Sequence, residues 1–229
     1  MKLLKHFFNF YIDSSIHVSL SVCCLQAMIM IKYCSSINNN LLYFTFFSSL
    51  LAYNFIKYFK FIIDNYNNIS YKIKVIIVIS IFSFLSAFFF TFYLSLYEIV
   101  LVSFAGIITF LYAIPTFLIS NYNLRATKGL KIYLVALVWT LITVLLPLQF
   151  YKDLGLLFIL LIFIQIFIYV LIVIIPFEIR DIDIDDTRLS TIPQKIGIRN
   201  TKILGFIMIL FFLLIEFLKI KLNVIDNLS

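Results

Sequence analysis

Charge is what this sequence has least of. Asp, Glu, Lys and Arg make up 13% of its 229 residues, about half their share in a soluble globular domain, which excludes an ordinary water-soluble fold. Cysteine is scarce too: Cys23 and Cys24 are adjacent inside the first apolar segment and Cys34 stands alone beyond it, so neither a CxxC pair nor a disulfide framework is present. The only histidines, His6 and His17, lie far from the acidic residues, which argues against zinc chemistry there and against a lipid phosphatase with a histidine nucleophile. No Asp-Gly pair occurs, and a CDP-alcohol phosphotransferase needs one. With five glycines and four prolines, neither the broken helices nor the related halves of a transporter are evident.

What the chain has instead is hydrocarbon. Hydrophobic residues make up 63% of it, 27 of them phenylalanine. Apolar windows fall at roughly 11–32, 41–63, 74–95, 97–119, 131–150, 154–177 and 203–220, each near the ~20 residues a helix needs to cross a bilayer. Lipid demands that backbone hydrogen bonds be satisfied internally, so these windows predict helices. The expectation is an all-α, multi-pass transmembrane helical bundle of about seven spans, forming a single domain over residues 1–229.

The net charge of +7 does not point to nucleic acid, because apolar spans separate the basic residues. Counted on alternate sides of the seven-span arrangement, fourteen Lys and Arg fall on one side and four on the other. This bias predicts a cytoplasmic N-terminus and a cytoplasmic loop after the sixth span, in a cell (inner) membrane. The start, MKLLKHFFNF, is basic, but Asp13, Ser14 and Ser15 interrupt the apolar run behind it, and no removable signal is expected. Asp13-Ser-Ser reads as a helix cap.

Five of the eleven acidic residues lie between positions 178 and 186: Glu178, Asp181, Asp183, Asp185 and Asp186. If the sixth helix continues past Pro176, Glu178, Asp181 and Asp185 recur at i, i+3 and i+7 and share a face. Crowded carboxylates need a cation, and hard oxygen ligands suit Mg²⁺ or Ca²⁺. An EF-hand begun at Asp181 fails, since Asp186 stands where glycine is required and Ile192 where glutamate is. Mg²⁺ bridging a diphosphate remains, with Arg180, Arg188, Arg125 and Lys128 as nearby cations; the competing reading is a hydrated loop of mixed charge.

These residues resemble the UbiA family of intramembrane prenyltransferases. Asp181-Ile-Asp-Ile-Asp185, followed by Thr191-Ile-Pro-Gln-Lys-Ile-Gly197, is similar to the family's DxxxD segment and its trailing T-x-P-x-x-x-G. Phe110-Leu-Tyr-Ala-Ile-Pro115 and Asn123-Leu-Arg-Ala-Thr-Lys128 resemble its tyrosine at the end of the fourth span and the basic loop beyond. The chain is a divergent match, because the first motif, NDxxDxxxD, corresponds to Asn54 through Ile62, where Phe55, Tyr58 and Ile62 replace the aspartates. The family usually has nine spans, so the cavity is expected either to open on one side or to be completed by another subunit in a homo-oligomer.

The resemblance implies transfer of an isoprenoid chain from an allylic diphosphate to a lipophilic acceptor within the bilayer. It makes Asp181 and Asp185 ligands of Mg²⁺ and diphosphate, with Glu178 and Asp183 as further metal ligands. Asn54, Arg125, Lys128 and Arg180 become phosphate contacts. Lys57 is expected to meet the diphosphate or the acidic loop, or else to snorkel to the interface; Tyr112 is either a phosphate-contacting hydroxyl or an interfacial anchor. Gln165 and Tyr169, at i and i+4, are expected to tie helices together. Two alternatives stand beside the enzyme: a catalytically silent relative that binds isoprenoid diphosphate or lipid, and a small-solute transporter.

Overall fold

The computed structural model of the chain describes residues 2–64, 69–113, 129–151, 154–182 and 191–226. Among them the regular structure is helical: α1 (Lys2–Asp13), α2 (Ile16–Tyr33), α3 (Asn39–Asp64), α4 (Tyr71–Thr91), α5 (Leu96–Ala113), α6 (Lys131–Thr140), α7 (Leu156–Arg180) and α8 (Ile192–Asp226). A π-turn, Leu141–Leu145, and a 3-10 turn, Leu148–Phe150, follow α6. The protein is all-α and multi-pass. Among the described residues, five stretches are long and apolar enough to cross a membrane: Ile16–Tyr33, Tyr71–Thr91, Lys131–Phe150, Leu156–Arg180 and Ile192–Leu222. The two other predicted spans also fall on helices, α3 and α5, of which the apolar part of α5, Leu96–Tyr112, is shorter than the rest.

The chain divides into two compact units, Met1–Phe104 with Leu146–Tyr151, and Ala105–Leu145 with Lys152–Ser229. In the first, α2, α3 and α4 pack in succession around Val22, Leu25, Ile29, Met30, Leu41 and Phe44. An aromatic ladder joins α3 to α4, with Phe47 stacked on Phe90 at 6.2 Å and set edge-on to Phe82. In the second, α7 packs against α6 and α8 around Ile132, Ala136, Ile162, Ile166, Val170 and Ile175. Outward-facing Phe82, Phe84, Phe88, Phe206, Phe211 and Phe217 cover α4 and α8 with hydrocarbon, as a lipid-facing surface requires.

Several helix starts have local causes. Asn38 caps α3 by accepting the Leu41 N–H at 3.2 Å. Ser95 and Glu98 form a reciprocal capping box at α5, where Glu98 Oε2 accepts from the Ser95 N–H at 2.7 Å and from its hydroxyl at 2.9 Å. Gln165 ties α7 to α8 as expected: its amide donates to Glu216 Oε2 at 2.9 Å and to the Phe212 carbonyl at 3.3 Å. Tyr169 meets the Phe212 ring at 6.1 Å, and the Lys219 ammonium lies 2.7 Å from Glu216 Oε2.

Two sequence expectations need correction. The apolar run 11–32 is not one helix, because Ser14 and Ser15 are buried between α1 and α2. The Ser14 hydroxyl turns back to the Phe10 carbonyl at 2.8 Å, and Ser15 adopts φ 60°. Asp13-Ser-Ser is therefore a link, with no side-chain cap bond from Ser15 to α2.

The T-x-P-x-x-x-G stretch has a purely local explanation. Gln194 Oε1 accepts the Thr191 N–H at 3.0 Å, Pro193 sits in the first turn where its missing N–H costs little, and Gly197 breaks α8 at φ 79°, ψ 159°, a region almost reserved for glycine. Nothing lies within 4 Å of a Cβ built on Gly197 or on Gly106 in α5. Gly197→Ala is therefore expected to cost about 1–3 kcal/mol through backbone strain alone, whereas Gly106→Ala should be neutral or stabilising by up to about 1 kcal/mol. Thermal unfolding of the detergent-solubilised variants, read as loss of the monodisperse species, separates the two.

Candidate functional site

The helix before the acidic segment does continue past Pro176, but only to Arg180. Asp181 caps it at φ −90°, ψ 5°; of the expected face of Glu178, Asp181 and Asp185, Glu178 is inside the helix, Asp181 terminates it, and Asp185 lies outside the described residues. Asp183, Arg125 and Lys128 also lie outside them.

Glu178 is 5% exposed and faces the Lys131 ammonium, which begins α6, at 3.5 Å. A carboxylate so shielded from water needs a counter-charge at this range. Asp181 meets the Arg180 guanidinium in a two-pronged contact, Nε to Oδ1 at 2.7 Å and Nη2 to Oδ2 at 3.0 Å. That hydrogen-bonded pairing, helped by the charges of Arg180 and Lys131, holds the Asp181 carboxyl below the ordinary carboxylate range. Four groups, two anionic and two cationic, thus gather where α6 begins and α7 ends. Hard oxygen donors of this kind suit Mg²⁺, which commonly takes one or two carboxylates and leaves the rest of its shell to water and phosphate; Asp181 could serve once Arg180 swings aside. Among the described residues, no three His, Cys, Asp or Glu side chains come together in a metal-binding group.

The other expected residues have different neighbours. Asn54 is 3% exposed and donates to Ser80 Oγ on α4 at 3.1 Å, while its Oδ1 is buried without a hydrogen-bond partner. Tyr112 is buried at the end of α5. Lys57 turns to Asp13, with its ammonium 3.1 Å from the backbone carbonyl and 3.7 Å from Oδ1. The Tyr58 hydroxyl donates to the same carbonyl at 2.8 Å, and Lys72 pairs with the Asp13 carboxylate. The hydrogen bond from Lys72 is the main reason the Asp13 carboxyl titrates below its ordinary value.

The chain matches no protein-family model, no curated protein and no solved structure.

Sequence reasoning missed Lys131 as the partner of Glu178, and Asp13 as the centre of a second charged cluster. Both had a signal. The alternation of basic loops put residues 2–5 with 57–74, and 125–131 with 180–202, on a common side. Within each unit a carboxylate beside one of these segments meets the other: Asp13, beyond residues 2–5, meets Lys57 and Lys72, and Glu178, just before residue 180, meets Lys131.

Removing one partner of the buried pair should be worse than removing the charge it serves. Lys131→Met is expected to cost about 2 kcal/mol by stranding Glu178, at the low end because Lys131 is partly exposed, and Glu178→Gln in the same chain should recover most of the loss, as a double-variant thermal melt would show. The Asp13 clasp should be insensitive to pH over the neutral range. A depressed carboxyl adds stability that is present above about pH 4, its unfolded range, and is lost as pH falls through the lower folded value. The protection of α1 amides, corrected for the intrinsic exchange rate at each pH, should therefore fall only in strong acid, and Asp13→Asn should remove that dependence.

Proposed function

We propose that the chain is a UbiA-like membrane prenyltransferase that moves an isoprenoid chain from an allylic diphosphate to a lipophilic acceptor, with Mg²⁺ as cofactor. The observation that carries this reading is the neutralised cluster of Lys131, Glu178, Arg180 and Asp181, which includes the first aspartate of the DxxxD segment. Its charges are paired in a way that a metal-bound diphosphate could exchange. Asp181 and Asp185, with Glu178 and Asp183, would hold the metal, while Arg180, Arg125 and Lys128 would turn to phosphate oxygens. When bound, Mg²⁺ would offset the charge that develops on the leaving diphosphate. The cations would do the same work from fixed positions, and Tyr112 would assist from the end of α5. Outward-facing aromatics and the apolar interior suit a lipophilic donor and acceptor.

Asn54 and Lys57 are engaged with Ser80 and Asp13 in this structure, partners they would have to exchange to contact a substrate as the resemblance implies. The reading further places about seven spans in the cell (inner) membrane, the acidic segment in the cytoplasm, and a second subunit against the open side of the cavity.

Purified protein incubated with labelled allylic diphosphates, lipid extract and Mg²⁺ should yield a prenylated lipid. Asp181→Asn/Asp185→Asn should cut the rate at least about 100-fold, and chelation should abolish it. Diphosphate binding without turnover, lost in that variant, would instead identify a silent relative. Metal-independent solute flux in liposomes would identify a transporter.

A further inference from the structure

Outside the acidic cluster, the densest gathering of charge among the described residues is the clasp around Asp13, and it is unbalanced. Lys57 and Tyr58 from α3 and Lys72 from α4 converge on one carboxylate and its own backbone carbonyl. Among the described residues two ammoniums face a single negative charge, so these groups together remain cationic. The lysine side chains are 42% and 49% exposed, which leaves the cradle open to solutes and lipids. Two ammoniums and a hydroxyl gathered around a carboxylate and the adjoining carbonyl oxygen can also serve a phosphate group, which offers several acceptor oxygens and carries its own charge.

Its depth in the membrane follows from the helices. Asp13 stands three residues before the spanning helix α2, and Lys72 is the second residue of the spanning helix α4. Both therefore sit at the level of lipid headgroups.

The adjoining helix points the same way. At helical spacing, Leu4, Phe7, Phe8, Tyr11 and Ile12 of α1 form one arc, with Lys5, Asn9 and Asp13 on the other. Leu4, Phe7, Phe8 and Ile12 are all exposed. Twelve residues extend about 18 Å, too short to span, and a helix of this pattern lies in the interfacial plane with its apolar arc among the acyl chains. The Ser14–Ser15 link joins it to α2 through the left-handed residue Ser15.

We propose that the Lys57–Tyr58–Lys72 cradle is a binding site for the headgroup phosphate of an anionic phospholipid, and that Asp13 is the built-in competitor that occupies it in the lipid's absence. α1, lying in the same leaflet, brings Asp13 to the cradle or gives it up to the lipid. The occupant is a phospholipid because the cradle opens at headgroup depth beside a helix that displays an apolar arc to the acyl chains. This site is separate from the acidic cluster and does not depend on prenyl transfer.

The test uses the full chain in nanodiscs of phosphatidylcholine doped with phosphatidylglycerol, counting retained anionic lipid by native mass spectrometry. Asp13→Asn should raise phosphatidylglycerol retention about fivefold by removing the competing negative charge, and Lys57→Gln/Lys72→Gln should lower it about tenfold. Lys57→Arg/Lys72→Arg should keep it, which separates lost charge from lost folding, and a thermal melt of each variant checks the latter. Retention that ignores the glutamine pair, or that falls in Asp13→Asn, would overturn the proposal. So would displacement of the lipid by soluble diphosphate at equal concentration, because the cradle would then prefer a free phosphate. Asp181→Asn/Asp185→Asn, the pair that tests catalysis, should leave retention unchanged.

Discussion

Hydrocarbon offers no hydrogen bonds, so every charge that this chain carries into or beside it must bring a partner from the chain itself. That constraint organises the polar contacts between helices. Glu178 is buried and has Lys131, Glu216 has Lys219 and the Gln165 amide, and Asp13 has Lys57 and Lys72. Each pairing also joins separate helices or anchors a helix end, so groups that neutralise one another double as fastenings. Packing of apolar surface cannot provide this fastening alone, because lipid tails are as apolar as the side chains they would replace. The polar contacts select which helix neighbours which.

The two clusters at helix ends differ in how easily they can change hands. Glu178 sits behind its lysine with little access to water, and breaking that pair strands a buried anion. Asp181 is more exposed and held by the residue beside it in sequence, a contact that rotation of one side chain undoes. Asp13 lies between these extremes, gripped by two helices yet open on the side of the lysines. Binding that needs an exchange of partners is cheapest where the resident partner is local and solvated, so under the proposed function Asp181 would be a metal ligand before Glu178.

Much of the fold was legible in the sequence because composition speaks directly to solvent. Long apolar windows mark helices, and five of them mark spans with ends within a few residues, the eighth helix excepted, where the turn from Ile192 to Gly197 lengthens the helical stretch. Gln165 and Tyr169 could be read as ties because a polar residue on an apolar helix must find a neighbour. What could not be read was which neighbour. Asp13 looked like a cap because Asp-Ser-Ser is a capping sequence locally, and only the approach of α3 and α4 makes it a tertiary anchor. Glu98 is the reverse case: its role with Ser95 is entirely local, yet the sequence reading passed over the Ser-x-x-Glu spacing that signals it. Lys57 has a resting partner that no motif could name, an aspartate 44 residues away.

Gly197 also bears on membrane fit. Unbroken, the apolar stretch Ile192–Leu222 has 31 residues and would measure about 46 Å, well beyond a hydrocarbon layer of about 30 Å. The break at φ 79° detaches the first turn, and the rod from Ile198 to Leu222 is about 37 Å, a mismatch that tilt absorbs. One glycine thus adjusts the length of the last helix to the thickness of the bilayer.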